Sequence, residues 1–168
     1  MEGIIRWLEV TAEYLGRVVA WATLLMVVIT FVVVLLRYLF DTGWIAMQES
    51  VTYLHATVFM LGAAYTLKHG GHVRVDIFYQ RFGMRGRAWV NLLGTLFLLF
   101  PLAIFVFTVS WDYVAESWKV LEGSREAGGL PGVFLLKTLI LVLPATLLLQ
   151  GLALFLKSLL VLRGGEDG

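Results

Sequence analysis

The sequence predicts an all-α integral membrane bundle of four transmembrane helices, preceded by an N-terminal interfacial amphipathic helix. Three observations predict it. The 168 residues are 60% hydrophobic and only 15% charged, with a mean hydropathy of +0.85, a balance that a bilayer solvates and water does not. Four stretches free of Asp, Glu, Lys and Arg, at 18–36, 50–67, 88–111 and 138–156, each reach the roughly 17–25 residues that cross a ~30 Å hydrocarbon core as a helix. Six Trp and six Tyr supply amphipathic rings of the kind that gather at headgroup level.

The spans are helices because lipid offers no partner for free backbone groups, and the runs lack the alternation of barrel strands. Residues 1–17 come first. In IIRWLEVTAEYLGR, Ile4, Trp7, Leu8, Ala12 and Leu15 share one face while Arg6, Glu9 and Glu13 lie elsewhere, which predicts a helix lying in the interface and leading into the first span. The run 18–36 is too long, and too far inside the chain, for a signal-peptide core. The second span is 50–67. A connection at 68–87 carries five basic residues, and the third span at 88–111 continues in helical register to Leu121 through Trp111, Val114 and Trp118. The loop GSREAGGLPG follows, and Pro131 suits the first turn of a fourth helix, whose span is taken as 133–156. Pro101 and Pro144 fall inside the third and fourth spans, where each removes a backbone hydrogen bond and predicts a bend. All four spans form a single membrane domain over 1–168.

Charge sets the orientation. Arg6, Arg17, Lys68, Arg74, Arg81, Arg85, Arg87, Lys157 and Arg163 fall on one side, against Arg37, Lys119, Arg125 and Lys137 on the other. The positive-inside rule then places both termini in the cytoplasm, with 37–49 and 112–132 outside. A net charge of +1 gives no nucleic-acid footprint. With no cysteine, disulfides, zinc-thiolate sites, iron-sulfur clusters and thiol redox chemistry are excluded by inventory. No internal repeat is apparent, which argues against an inverted-repeat carrier within this chain.

An ion-coupled carrier needs ionisable groups deep in the membrane, and here the strongly polar candidates well inside the spans are His55 and Gln150. Both are expected to be packing or helix-contact residues, with a solute contact at Gln150 as the sharper alternative. His69 and His72 fall in the 68–87 connection and give no buried haem pair. Arg37 and Glu49 bracket the first outer connection and are expected to pair across it. Lys68, His72, Arg74 and Asp76 lie in LKHGGHVRVDIFYQRFGMRGR, whose basic residues read first as topology and contact with anionic lipid.

Arg37-Tyr38 closing the first span, Trp44 and Glu49 opening the second, Gly62-Ala63-Ala64 within it and His72-Val73-Arg74-Val75-Asp76 after it resemble, in order and spacing, the small DctQ-like membrane subunit of tripartite ATP-independent periplasmic (TRAP) transporters. AGGLPG, Lys137, Pro144 and Leu149-Gln150-Gly151 are similar to the branch labelled for mannitol or chloroaromatic compounds. The likeness covers roughly residues 20–160. Gln48 departs from it, standing where many relatives carry a second acid.

The resemblance implies a bacterial inner-membrane, non-enzymatic component of a three-part uptake system. A periplasmic solute-binding protein would deliver a small organic solute, often an organic acid, to a large elevator-type permease subunit coupled to sodium. This chain would brace the large subunit, help seat the binding protein and carry no cofactor of its own. Its subunit-contact or structural residues would be Arg37, Trp44, Glu49, His55, Lys68, His72, Arg74, Asp76, Lys137 and Gln150. Two other readings remain at this point: a membrane subunit of a redox or other enzyme built on His69, His72 and Asp76, and a small oligomeric exporter coupled through Glu49.

Overall fold

The computed structural model describes residues 2–71, 79 and 81–164. Their architecture is an all-α bundle of four helices: α1 Glu2–Leu39, α2 Ile45–Lys68, α3 Met84–Lys119 and α4 Val133–Leu162. Three of these, α1, α3 and α4, are long and apolar enough to cross a membrane. At 24 residues α2 is also long enough, ~36 Å at 1.5 Å per residue. It is less apolar because Gln48, Glu49, Ser50, Thr52 and His55 crowd its first half.

The N-terminal segment differs from expectation. It is not a separate helix; it continues unbroken into the first expected span as one 38-residue helix. Part of its apolar face is covered by protein: Ile5, Leu8 and Ala12 are buried while Ile4 and Trp7 are exposed, and Leu8, Ala12 and Leu15 meet Ala64 of α2 and Thr146, Leu149 and Gln150 of α4 around a small shared cavity. A face that finds protein has no need to lie flat on the headgroups.

α4 is the central element, packing against α1, α2 and α3, and α1 also packs along α2. The contacts are made by small residues, which let backbones approach closely in lipid. Ala64, Ala88, Ala103 and Ala153 are buried, and Gly16 and Gly151 face Tyr65 and Leu99 with no room for a Cβ. Large apolar side chains such as Trp21, Phe31, Phe97, Leu102 and Phe105 point outward instead, the inverse of a water-soluble core. The hydroxyls of Thr23, Thr57, Thr66 and Thr146 donate to carbonyls four residues back in their own helices, which satisfies them without a partner helix.

Both internal prolines lie in helices that continue past them. One turn before Pro101 the chain widens into a π turn at Thr95–Leu99, closed by the Phe100 N–H donating to Thr95 O. A proline ring clashes with the carbonyl four residues before it, and a widened turn makes room. Pro144 is fully buried within α4. The Gly70-Gly71 pair ends α2: Gly70 has φ +66, and the N–H groups of Gly70 and Gly71 return to Leu67 O and Thr66 O, a Schellman cap.

Candidate interaction site at the outer ends of the hairpins

Two acids organise the long connection between α3 and α4. Glu49, in the first turns of α2, accepts the Ser124 hydroxyl on one carboxylate oxygen and the Leu130 N–H at 2.6 Å on the other. The loop closes on itself as well, with Ser124 N–H donating to Leu130 O at 2.9 Å. This explains AGGLPG. Gly128 has φ +81, and a Cβ on Gly129 would stand 2.6 Å from Ser124 Cβ and 2.8 Å from a Glu49 oxygen, so two successive positions require glycine.

Glu122 makes the second clasp. It takes Lys137 of α4 and the Ser117 hydroxyl at 2.7 Å, while its backbone N–H returns to Ser117 O at 3.0 Å and its carbonyl accepts Phe134 N–H. Lys137 also stands 4.1 Å over the Tyr113 ring. Beside it, the Trp118 indole donates to Thr138 Oγ1 at 2.9 Å and meets Phe134 edge-on. Hydrogen bonds to the charged form hold both acids below the ordinary glutamate range. For Glu49 the Ser124 hydroxyl leads and the Leu130 N–H follows; for Glu122, Lys137 leads and Ser117 follows.

The expected Arg37–Glu49 pair is not formed. Arg37 is exposed at the end of α1, and the Glu49 carboxylate is taken by the α3–α4 loop instead. A serine hydroxyl and a backbone N–H can sit inside a turn where a long guanidinium cannot. Trp44 stands just before α2 and makes no capping hydrogen bond with its side chain. With Tyr38 and Phe40 it forms an exposed aromatic rim.

At the opposite end, α1 is tied to the ends of α2 and α4. Glu13 pairs with Lys68 at 2.7 Å, and Glu9 pairs with Lys157. His69 stacks on Tyr65. His72, Arg74 and Asp76 lie outside the described residues. His55 is exposed on α2. Gln150 is 5% exposed and its Oε1 has no partner among the described residues. Those residues hold no group of three His, Cys, Asp or Glu that could bind a metal.

Sequence reasoning therefore placed Glu49, Lys68 and Lys137 among residues that carry contacts without finding their partners. Glu9, Glu13, Glu122, Ser124 and Gly129 were not singled out. For Gly129 a signal existed in the turn composition of the loop; for Glu122 and Lys137, fifteen residues apart, no helical spacing connects them. The family model for tripartite ATP-independent periplasmic transporters, DctQ component, matches residues 26–161. No curated protein and no solved structure matches the chain.

Proposed function

The chain belongs to the DctQ family of TRAP transporter components, and from that premise we propose that it braces the large permease subunit and helps seat the solute-binding protein on its outer rim. It is a transporter subunit and not an enzyme. The observation that carries the docking role is the clasped loop: Glu49 and Glu122 fix 122–132, leaving Arg37, Tyr38, Phe40 and Trp44 exposed beside it. A fixed, aromatic-rich edge suits docking better than a mobile one, because less freedom is lost on binding.

Supporting the scaffold role, the ion pairs among the described residues sit near helix ends: Glu13–Lys68 and Glu9–Lys157 at one end, Glu122–Lys137 and Glu116–Lys119 at the other. Sodium coupling and solute recognition then belong to the partner chains, and the solute is a small organic compound, with an organic acid the leading class. In this reading α2 crosses the inner membrane with the other three helices, and the side rich in Lys and Arg, with both termini, is cytoplasmic.

The test is reconstitution in proteoliposomes with the large subunit and the binding protein. Uptake is expected only when all three are present. Replacing Tyr38, Phe40 and Trp44 with Ala is expected to weaken capture of the binding protein several-fold while the two membrane subunits still co-purify. Sodium-driven uptake by this chain alone overturns the scaffold role, and unchanged capture by the rim variant overturns the docking role.

A further inference from the structure

The outward faces of the bundle differ in chemistry. On α3 the exposed indoles of Trp89 and Trp111 stand 22 residues apart, ~33 Å along a helix, which matches a ~30 Å hydrocarbon core with an aromatic belt at each boundary. Between them Leu93, Phe97, Leu102 and Phe105 point outward. Lipid satisfies such a face. The outward threonines of α1 and α3 are satisfied as well, since Thr30 donates to Met26 O at 2.7 Å and Thr108 to Ile104 O at 2.9 Å. On α2 the pattern is different. α1 and α4 pack along its flanks, and the line they leave open carries Thr52, His55 and Phe59, which share one helical face. His55 stands ten residues into the 24-residue helix, ~15 Å from its start. Neither its imidazole nor the Thr52 hydroxyl has a hydrogen-bond partner among the described residues. Acyl chains offer none, and ionisable residues within membrane spans face protein or water-filled space.

We propose that the Thr52–His55–Phe59 line of α2 is the contact with a membrane helix of the large permease subunit, whose oxygen acceptors meet the Thr52 hydroxyl and the His55 imidazole. This rests on the reading that the chain braces the large subunit and that α2 crosses the membrane. The complementarity is one of hydrogen bonds. A neutral imidazole brings one N–H and one lone pair, and a threonine brings one O–H; such groups join helices in lipid, where no water competes for them. Phe59, 67% exposed, extends the same line with apolar surface. The outward residues of α3 need nothing beyond acyl chains, so the polar line of α2 is where a protein partner gains most over lipid.

The experiment uses the assembled complex of the two membrane subunits. Photoreactive benzoylphenylalanine is placed at Phe59 in one sample and at Phe105 in another. Crosslinks to the large subunit are expected from position 59 and not from position 105. Crosslinking from 105 as strong as from 59 overturns the proposed face while the bracing role stands, as do crosslinks from 59 to a second copy of this chain or to lipid alone. Failure of the two unaltered chains to co-purify overturns the bracing role and this contact with it. Thr52→Val with His55→Leu then removes the hydrogen-bonding groups and keeps an apolar surface. The pair of changes is expected to lower co-purified large subunit about fivefold, from two interhelical hydrogen bonds of ordinary strength. Thermal unfolding of the full chain alone in detergent should stay unchanged, because neither side chain is bonded within it. Undiminished co-purification overturns the hydrogen-bonded contact, and a loss that follows a lower unfolding temperature of the chain itself assigns the two residues to its own packing and overturns it too.

Discussion

Gly94→Ala and Gly151→Ala make the same chemical change inside two helices, and the structure assigns them opposite outcomes. At Gly94 the backbone is ordinary helix, φ −61 and ψ −41, and a Cβ meets nothing within 4 Å. Only the gain in helix propensity remains, about 1 kcal/mol. At Gly151 the same Cβ lies 2.6 Å from Leu99 Cδ2 and 3.0 Å from Phe100 Cε1, well inside the ~3.5–4.0 Å of comfortable carbon contact. The Leu99 end can turn aside. The Phe100 ring is less free, because it meets Phe155 at a centroid separation of 6.2 Å and follows directly on the π turn. Overpacking of this kind costs ~1–3 kcal/mol, so after the propensity gain Gly151→Ala is expected to be between neutral and ~2 kcal/mol less stable. The two variants should therefore separate by ~1–3 kcal/mol, which is several degrees at ~2–4 °C per kcal/mol. Thermal unfolding of the full chain in detergent, followed by size-exclusion chromatography with fluorescence detection, measures it. A Gly151→Ala protein as stable as Gly94→Ala refutes the claim that α3 and α4 close on that glycine.

Three further outcomes follow from the outer end. Leu121 ends α3 with φ +46 and is largely exposed; the left-handed region costs a side chain ~1–2 kcal/mol, and glycine's extra freedom offsets part of the relief, so Leu121→Gly should raise stability by about 0.5–1 kcal/mol in the same melt. Glu49→Ala should increase trypsin cleavage after the exposed Arg125 several-fold, whereas Arg37→Ala should not, and the double variant should match Glu49→Ala; non-additive coupling between the two would restore the ion pair the structure lacks. Both clasp acids are held below the ordinary glutamate range, so their contribution is fully present above about pH 4.3 and is lost as pH falls through the lowered values; Trp118 fluorescence, read as a difference against Trp118→Phe, should stay constant from pH 8 to 5 and change only below, and a transition near neutrality would contradict the assignment.

The membrane architecture is legible because lipid imposes it residue by residue. Charge-free runs mark all four helices, and the lengths of the helices exceed their apolar runs because amphipathic ends such as Glu2–Arg17 and Asp112–Lys119 keep the helical register once a partner face is available. The glycine pair at Gly70-Gly71 and the turn composition of AGGLPG are legible for a related reason. Both answer to backbone geometry, a positive φ or a missing Cβ, that few other residues accept.

The partners of charged residues are a different kind of information. Arg37 and Glu49 face each other across a short connection in the sequence, and proximity along the chain argues for a pair. The fold replaces that argument with a tertiary one: α4 lies against α2, so the loop that enters α4 arrives at the start of α2 and offers Glu49 a hydroxyl and an N–H already held in a turn. A carboxylate gains more from two fixed donors than from one long, hydrated side chain that must give up its rotamers to reach it. The same reasoning covers Glu9 and Glu13, whose cations Lys157 and Lys68 come from two different helices. Their pairing is a product of the packing of α1 against α2 and α4, because a helix packed there brings its acidic residues to the basic ends of its neighbours.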